Sequence, residues 1–476
     1  MSGEGDSRLG GVARWLSRIL GAALVVWAIS DDPLIGGRPG FGLAQGIVAA
    51  IGVFVLASSF ASAGWNARIL ALVLSSAFVL SFGEIAVRVL YSARYQRPYH
   101  LDEALLYRLT PGAVHDFQHE ATNGGERIRY RVNSDGFRGE ELEADPRLRV
   151  AVFGDSFVQG AFSALEDTFA EQLEDQLSER LGDGVEVVNA GVAGYGPGQT
   201  LRKMEGDVAL LDPDLILIAI FAGNDFGDTI RNKLYRLDDA GRLLETDFTI
   251  GPEQRRGFTL RRRELILKRV VRDAVRALLP GLGLGGGETD AMVAMTPRER
   301  MDRFLEDRAR EFDEYIVRGD HVVHALAEDT YDADVSLTPD SDSARYKVRL
   351  MDEVLGRMQS IAAERGVPIV LIPIPHPIDV GGHPTGEVDR DRYPHYRPRA
   401  LVGILERIAD RRGMPFVELF EGYRALGSEE VYFGGFDDHW NDRGQRLAAE
   451  WVADFLMERG LVSAVGADAG AGAGRP

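Results

Sequence analysis

With 476 residues, of which 45% are hydrophobic and 27% charged, the chain has the length and composition of a large folded domain with additions. A net charge of −19 argues against a nucleic-acid partner, because phosphate binding needs a basic surface. The absence of cysteine removes disulfides, thiol catalysis and Cys-ligated metal, and is compatible with any redox compartment.

Residues 1–95 read as a membrane anchor. Nearly uncharged runs from Trp15 to Ser30, Phe41 to Ser62 and Ile69 to Ser81 predict three transmembrane helices of roughly 20 residues each. The middle run has Gln45 as its one strongly polar side chain. Arg14 and Arg18 shorten the first, so a cleaved signal peptide followed by a helical hairpin stays open as an alternative. Arg8, Arg14 and Arg18 precede the first helix, the loop Asp31 to Gly40 holds one Arg against two Asp, and the second loop holds Arg68. That distribution places the N-terminus inside and, after three crossings, the rest of the chain outside. Arg88, Arg94 and Arg97 argue the other way, but long domains translocate largely regardless of charge. Glu84 and Arg88, four apart, read as an interfacial ion pair.

Residues 96–148 connect the anchor to an α/β region. Two polar-alternating segments between His115 and Val132 flank Asn123-Gly124-Gly125, a hairpin signal. Asn133 to Gly139 is a turn, with a lip over a site as its functional alternative.

The α/β pattern begins at Arg149. The apolar run Val150 to Phe153 breaks at Gly154-Asp155-Ser156, and a helix is expected from about Leu165 to Leu181. A second strand, Val185 to Val188, ends in a loop with Gly191, Gly194, Gly196 and Gly198, where backbone must approach something closely or take positive φ. The loop lacks the Lys-Ser/Thr ending of a phosphate loop. The third strand, Leu215 to Phe221, ends in Gly223-Asn224-Asp225. A charged, mostly helical insertion occupies about 226–345. Within it, Arg261 to Leu279 is basic on one side and apolar on the other, read as a solvated helix or one lying on an anionic membrane. His321 and His324 show no metal-site pattern. The sheet resumes with a helix from Tyr346 to Arg365, a strand from Val367 to Ile374 ending at Pro375-His376-Pro377, a helix near Ala400 to Arg412, and a short fifth strand from Pro415 to Leu419. Asp437-Asp438-His439 then stands directly before a last helix, Asp442 to Met457. The tail, 463–476, is rich in Ala and Gly and is expected to be disordered.

Gly-Asp-Ser alone is an ordinary turn, but four blocks in order resemble the SGNH (GDSL-type) hydrolases: Gly154-Asp155-Ser156, Gly191, Gly223-Asn224-Asp225 and the block holding His439. The resemblance covers about 149–459, outside the insertion, and with the anchor it resembles membrane-anchored bacterial members. It implies a flavodoxin-like three-layer sandwich with five parallel strands, a domain spanning 149–462, Ser156 as nucleophile and His439 as base. The oxyanion hole would comprise the backbone N–H groups of Ser156 and Gly191 and the Asn224 amide. Two departures stand out. Phe157 replaces a Leu, expected to matter little, and the usual acid position three before the His is Phe436. Asp437, two before, resembles a D-x-H variant, with Asp438 a minor candidate for the acid.

The implied chemistry is acyl transfer through a serine ester, without cofactor or metal. Water as acceptor makes an esterase or deacylase; a sugar hydroxyl makes an O-acyltransferase. A location at the outer side of a bacterial inner membrane suggests acylated envelope glycans or lipids as substrates. A non-catalytic, membrane-tethered glycan-binding scaffold and a nucleotide-binding flavodoxin-like domain are the readings from other classes. Oligomeric state is not legible.

Overall fold

A computed structural model describes residues 3–30, 42–90, 98–118, 127–248, 266–267, 270, 295–319, 331–435 and 437–462. The loop from 31 to 40, the turn Asn123-Gly124-Gly125, nearly all of Arg261 to Leu279, His321, His324, Phe436 and the tail from Ser463 lie outside the described residues. The chain divides into two compact units, one formed by 1–95 with 250–285, the other by 96–249 with 286–476.

The first unit holds α1 (Gly3–Ile29), α2 (Leu43–Ser58) and α3 (Ala63–Leu90). Among the described residues, two helices are long and apolar enough to cross a membrane, Gly10–Ile29 within α1 and Ala63–Leu90. The middle segment, expected to be as long as the others, forms a helix of 16 residues. At 1.5 Å per residue that is about 24 Å, short of a hydrocarbon core of about 30 Å. Polar side chains end it. The Ser58 hydroxyl donates back to the Val55 carbonyl at 2.7 Å, and the Asn66 amide donates to the hydroxyls of Ser58 and Ser17, both at 2.9 Å. Arg14 and Arg18 lie inside α1 rather than before it, and their guanidinium groups reach the α2–α3 turn, at the Ala61 carbonyl (3.2 Å) and the Ser59 hydroxyl (3.4 Å). Glu84 and Arg88 pair at 2.7 Å, and Glu84 also accepts the N–H groups of Ile266 (3.0 Å) and Leu267 (2.8 Å). The ion pair thus doubles as an attachment point for the insertion.

The second unit opens with two antiparallel pairs, β1 (Tyr99–Asp102) with β2 (Leu106–Leu109) and β3 (Val114–Gln118) with β4 (Arg127–Arg131). The parallel sheet comes next: β5 (Leu148–Phe153), β6 (Val185–Asn189), β7 (Leu215–Phe221) and, after a hairpin of β8 (Tyr235–Leu237) and β9 (Leu243–Glu245), β10 (Ile369–Ile374). Its order is β6-β5-β7-β10, all parallel. The fifth strand expected at Pro415 to Leu419 is reduced to a parallel bridge between Phe416 and Leu371, held by Leu371 N–H to the Pro415 carbonyl (2.9 Å) and Val417 N–H to the Leu371 carbonyl (3.0 Å). Pro415 has no N–H to give a ladder. With that bridge the order is the flavodoxin-like 2-1-3-4-5.

Helices cover both faces. α4 (Phe169–Leu181), capped by Thr168 and starting four residues later than its periodicity suggests, packs with α9 (Asp442–Glu458) over one face. Phe169, Leu173 and Leu177 meet Ala448, Val452 and Leu456 there, together with the strand residues Val150, Val152, Leu217 and Ile372. Strand alternation sends Ala151, Phe153, Ile216, Ile218 and Leu371 the other way, where α5 (Pro197–Leu211), α7 (Asp342–Glu364) and α8 (Ala400–Arg412) lie. The insertion contributes α6 (Pro297–Phe312). It is tied back by buried charges: Arg231 pairs with Asp228 and with Glu311 (3.3 Å), and Lys347 with Asp334 (2.8 Å). Asp332 donates its N–H to the Gly223 carbonyl (2.6 Å) and accepts from Gly227 N–H (2.8 Å). Burial raises the Asp332 carboxyl to about 8 against the pull of Lys347 and Arg231.

Candidate active site

Every strand of the parallel sheet ends in a polar turn on the same edge, where backbone donors are left over. In spatial order these turns carry Gly191 after β6, Ser156 after β5, Asn224 after β7 and His376 after β10. Ser156 is the first residue of a four-residue helix, Ser156–Gln159, capped by Asp155, whose carboxylate accepts the Phe157 N–H at 2.9 Å. First-turn N–H groups have no intrahelical acceptor, so the Ser156 N–H is not consumed by the helix itself.

The structure brings Ser156, His439 and Asp437 into one line. Ser156 Oγ and His439 Nε2 are 2.7 Å apart, and His439 Nδ1 and Asp437 Oδ1 are 2.8 Å apart. The Asp437 carboxylate also accepts the His439 backbone N–H (3.1 Å), so two neighbouring loop residues share one fixed geometry. A carboxylate on Nδ1 selects the tautomer that leaves Nε2 free to accept from the serine hydroxyl. Asp438 Oδ1 is farther from the same Nδ1, at 3.5 Å. The imidazole is held between rings: Phe157 stacks on it at 4.8 Å and 25°, and Phe162 meets it edge-on at 4.7 Å. Phe157, expected to matter little in place of Leu, is thus an aromatic floor under His439, and its carbonyl accepts from the Trp440 indole at 3.1 Å.

Of the three expected oxyanion donors, Gly191 packs directly on the serine helix. A Cβ on Gly191 would lie 2.4 Å from Gln159 N and 2.7 Å from Val158 Cβ. Its N–H rests 3.2 Å from Asn189 Oδ1, while the Asn189 amide donates to the Val158 carbonyl at 2.8 Å. Asn224 is 4% exposed at the cap of the helix Asp225–Arg231. Asp225 holds the end of β7 by accepting the Phe221 N–H at 2.7 Å. Burial, then the nearby carboxylates of Asp155 and Asp228, push its carboxyl well above the usual range.

Two supporting groups stand in stretches visible in the sequence, but their partners are not. Arg138, from the Asn133 to Gly139 turn, is 2% exposed and donates to the carbonyls of Gln159 (2.5 Å), Gly160 and Ser163 (2.6 Å), closing the end of the serine helix. That turn is a clamp under the site, with the Asn133 side chain folding it through the N–H groups of Asp135 and Phe137. Gln159 donates to the Tyr99 hydroxyl (3.0 Å) and accepts the Ala193 N–H, linking β1 to the Gly191 loop. The second group is His376, at the carboxyl end of β10 beside the loop that carries His439. Each works through residues distant in sequence, which local pattern does not register. Among the described residues, Asp437, Asp438 and His439 are the group of potential ligand atoms within 4.8 Å of one another. Both imidazole nitrogens there are already engaged by Asp437 and Ser156, so no cation is assigned to it.

A flavodoxin-like sheet with a Ser, His and Asp aligned at its carboxyl edge defines the class as a hydrolase-type protein of SGNH architecture. Residues 152–370 match the model of the GDSL-like Lipase/Acylhydrolase family. The matched range includes Ser156, Gly191 and Asn224 and ends before His439. No curated protein matches the sequence. Similar solved structures include the psychrotrophic esterase EstA from Pseudoalteromonas sp. (12% identity, 65% of this chain and 97% of that chain, TM-score 0.33). TesA is similar at 13% identity, over 66% of this chain and 99% of that one, with a TM-score of 0.34. A catalytic mutant of Axe2, an acetylxylan esterase from Geobacillus stearothermophilus, shares 13% identity over 67% of this chain and 97% of that one, with a TM-score of 0.31.

Proposed function

We propose that the protein is a membrane-anchored serine esterase that removes ester-linked acyl groups from envelope glycans or lipids through an acyl-serine intermediate. The observation that carries the reading is the unbroken line Ser156 Oγ to His439 Nε2 to Asp437, at 2.7 and 2.8 Å. His439 takes the hydroxyl proton as Ser156 Oγ attacks the ester carbonyl, and Asp437 stabilises the imidazolium that forms. The developing oxyanion takes hydrogen bonds from the N–H groups of Ser156 and Gly191 and from the Asn224 amide. For Gly191 this means exchanging its 3.2 Å contact with Asn189 for the stronger, charged acceptor. The tetrahedral intermediate collapses, His439 returns its proton to the leaving alcohol, and water repeats the sequence on the acyl-serine. If a sugar hydroxyl takes the place of that water, the same groups transfer the acyl chain instead.

The anchor is proposed to cross the membrane three times, with α2 aided by its flanking residues, leaving the catalytic unit outside the cytoplasm. Arg14 and Arg18 gathered at the α2–α3 turn support that orientation by the positive-inside tendency. The test of the chemistry uses the full chain in detergent, assayed for release of p-nitrophenol from acetyl and longer acyl esters and for covalent labelling by a fluorophosphonate. Ser156→Ala and His439→Ala should each lower kcat by about 10³-fold or more, and Ser156→Ala should abolish labelling. Undiminished hydrolysis in Ser156→Ala would end the serine mechanism. Added glycan that accelerates turnover and becomes acylated would assign transfer rather than hydrolysis.

A further inference from the structure

β10 ends in a polar group that the serine mechanism leaves without a task. His376 is 3% exposed and caps the short helix Pro377–Val380, its Nδ1 accepting the Ile378 N–H at 3.1 Å. A ring nitrogen that accepts carries no proton, so in the neutral imidazole the hydrogen is on Nε2. That Nε2 faces Asp438 Oδ2 at 3.5 Å, and the other oxygen of the same carboxylate stands 3.5 Å from His439 Nδ1. One carboxylate therefore lies between two imidazoles, one of them the proposed base.

We propose that His376 and Asp438 form a second His–Asp couple that positions the base: His376 keeps Asp438 ionised and aimed, and Asp438 presents a second negative pole, beside Asp437, to the imidazolium of His439. The proposal rests on the serine-ester reading. The His376 ring is clamped, stacked on Phe221 (5.4 Å, 28°) and edge-on to Tyr331 (4.9 Å). A Cβ on Gly223 would stand 2.3 Å from His376 Cδ2, so the ring also seats the turn that carries Asn224. The groups facing Asp438 are the imidazoles of His376, His439 and His383, the Asp437 carboxylate on its own loop, and the Tyr432 phenol, which donates to the Pro375 carbonyl. Asp379 completes the surroundings behind His376, accepting from the hydroxyls of Tyr331 and Tyr396 at 2.7 Å each. Burial alone would raise the Asp438 carboxyl, but the His376 hydrogen and the three imidazoles outweigh it and hold it below the usual range.

A His376 that only fills space would behave differently on substitution, and the full chain in detergent separates the two roles. Fluorophosphonate titration of Ser156 first sets the concentration of competent enzyme for each variant. Asp438→Asn and His376→Leu should lose about tenfold or more in kcat per labelled site, with KM within about twofold. His376→Gln, whose side-chain amide still donates to Asp438, should recover most of that loss. In Asp438→Asn the acid limb of kcat/KM should move to lower pH by roughly half a unit or more, because removing a negative charge beside the imidazole lets its neutral form persist further into acid. An unmoved limb with wild-type kcat in Asp438→Asn, or a Gln variant no better than Leu, overturns the couple while leaving the serine mechanism standing. A wild type that neither labels nor hydrolyses esters overturns the serine-ester reading and this proposal with it.

Discussion

Gly191 occupies a position where no side chain fits. The Cβ of an alanine there would meet Gln159 N at 2.4 Å and Val158 Cβ at 2.7 Å, and neither is the free end of a flexible chain. Gly191→Ala should therefore push the loop off the serine helix and carry its N–H away from the oxyanion position. We expect kcat to fall by about 10²-fold, the scale of losing one oxyanion donor, and stability to fall by about 1–3 kcal/mol from overpacking. Gly206→Ala is the control: it lies inside α5 with nothing within 4 Å, and should be neutral in rate and up to about 1 kcal/mol more stable. Urea denaturation and ester hydrolysis on the same preparations check both. The need for glycine at 191 is legible in the sequence, because a strand followed by a glycine-rich loop implies close approach. What it approaches is not legible, since the serine helix lies roughly 30 residues earlier in the chain. Phe157 shows the same limit, since a Phe in place of Leu reads as a conservative change until its ring is found 4.8 Å from His439.

At the scale of elements, the connecting segment behaves as part of the catalytic unit. Its strands β1 to β4 share that unit, Tyr107 donates to the Ala193 carbonyl at 2.8 Å, and Arg138 bridges to Asn189 at the end of β6. Arg138 also supplies donors to three carbonyls around the serine helix. Burial lowers the hold of its guanidinium on the proton, an effect that Tyr130, Tyr99 and Glu171 offset only in part. Arg138→Met keeps the length and removes the donors, leaving buried carbonyls without hydrogens. The expected cost is about 3–5 kcal/mol, visible as a fall in Tm, and a fragment beginning at 149 should fail to fold where one beginning at 98 succeeds. An unchanged Tm in Arg138→Met would mean that water replaces the guanidinium at no cost. The strands and most sheet-covering helices of this unit are readable from the pattern, because short apolar runs between turns leave few alternatives. The fifth strand falls short of its pattern because its apolar run begins at a proline. α2 falls short of its hydropathy because hydropathy does not register the Ser58–Ser59 turn or the Asn66 amide that ends it.

For the whole molecule, the consequential question is on which side of the membrane the catalytic unit works. The basic residues of the anchor are informative only once placed: Arg14 and Arg18 are bound to the α2–α3 turn, so their charges and that of Arg68, early in α3, belong to one end of the helix bundle. The proposed orientation, by the positive-inside preference, has that turn in the cytoplasm and the end of α3 outside. The net charge of −19 on the full chain opposes nothing in this arrangement, because acidic residues contribute little to orientation. The absence of cysteine makes the test direct. Ser62→Cys places a thiol in the exposed α2–α3 turn, and Glu429→Cys places one on the surface of the catalytic unit. In intact cells, a membrane-impermeant maleimide should label Glu429→Cys and should reach Ser62→Cys only after permeabilisation. The reverse pattern would put the proposed serine site in the cytoplasm, away from envelope glycans, and would leave cytoplasmic lipid or thioester substrates as the chemistry for Ser156 to meet.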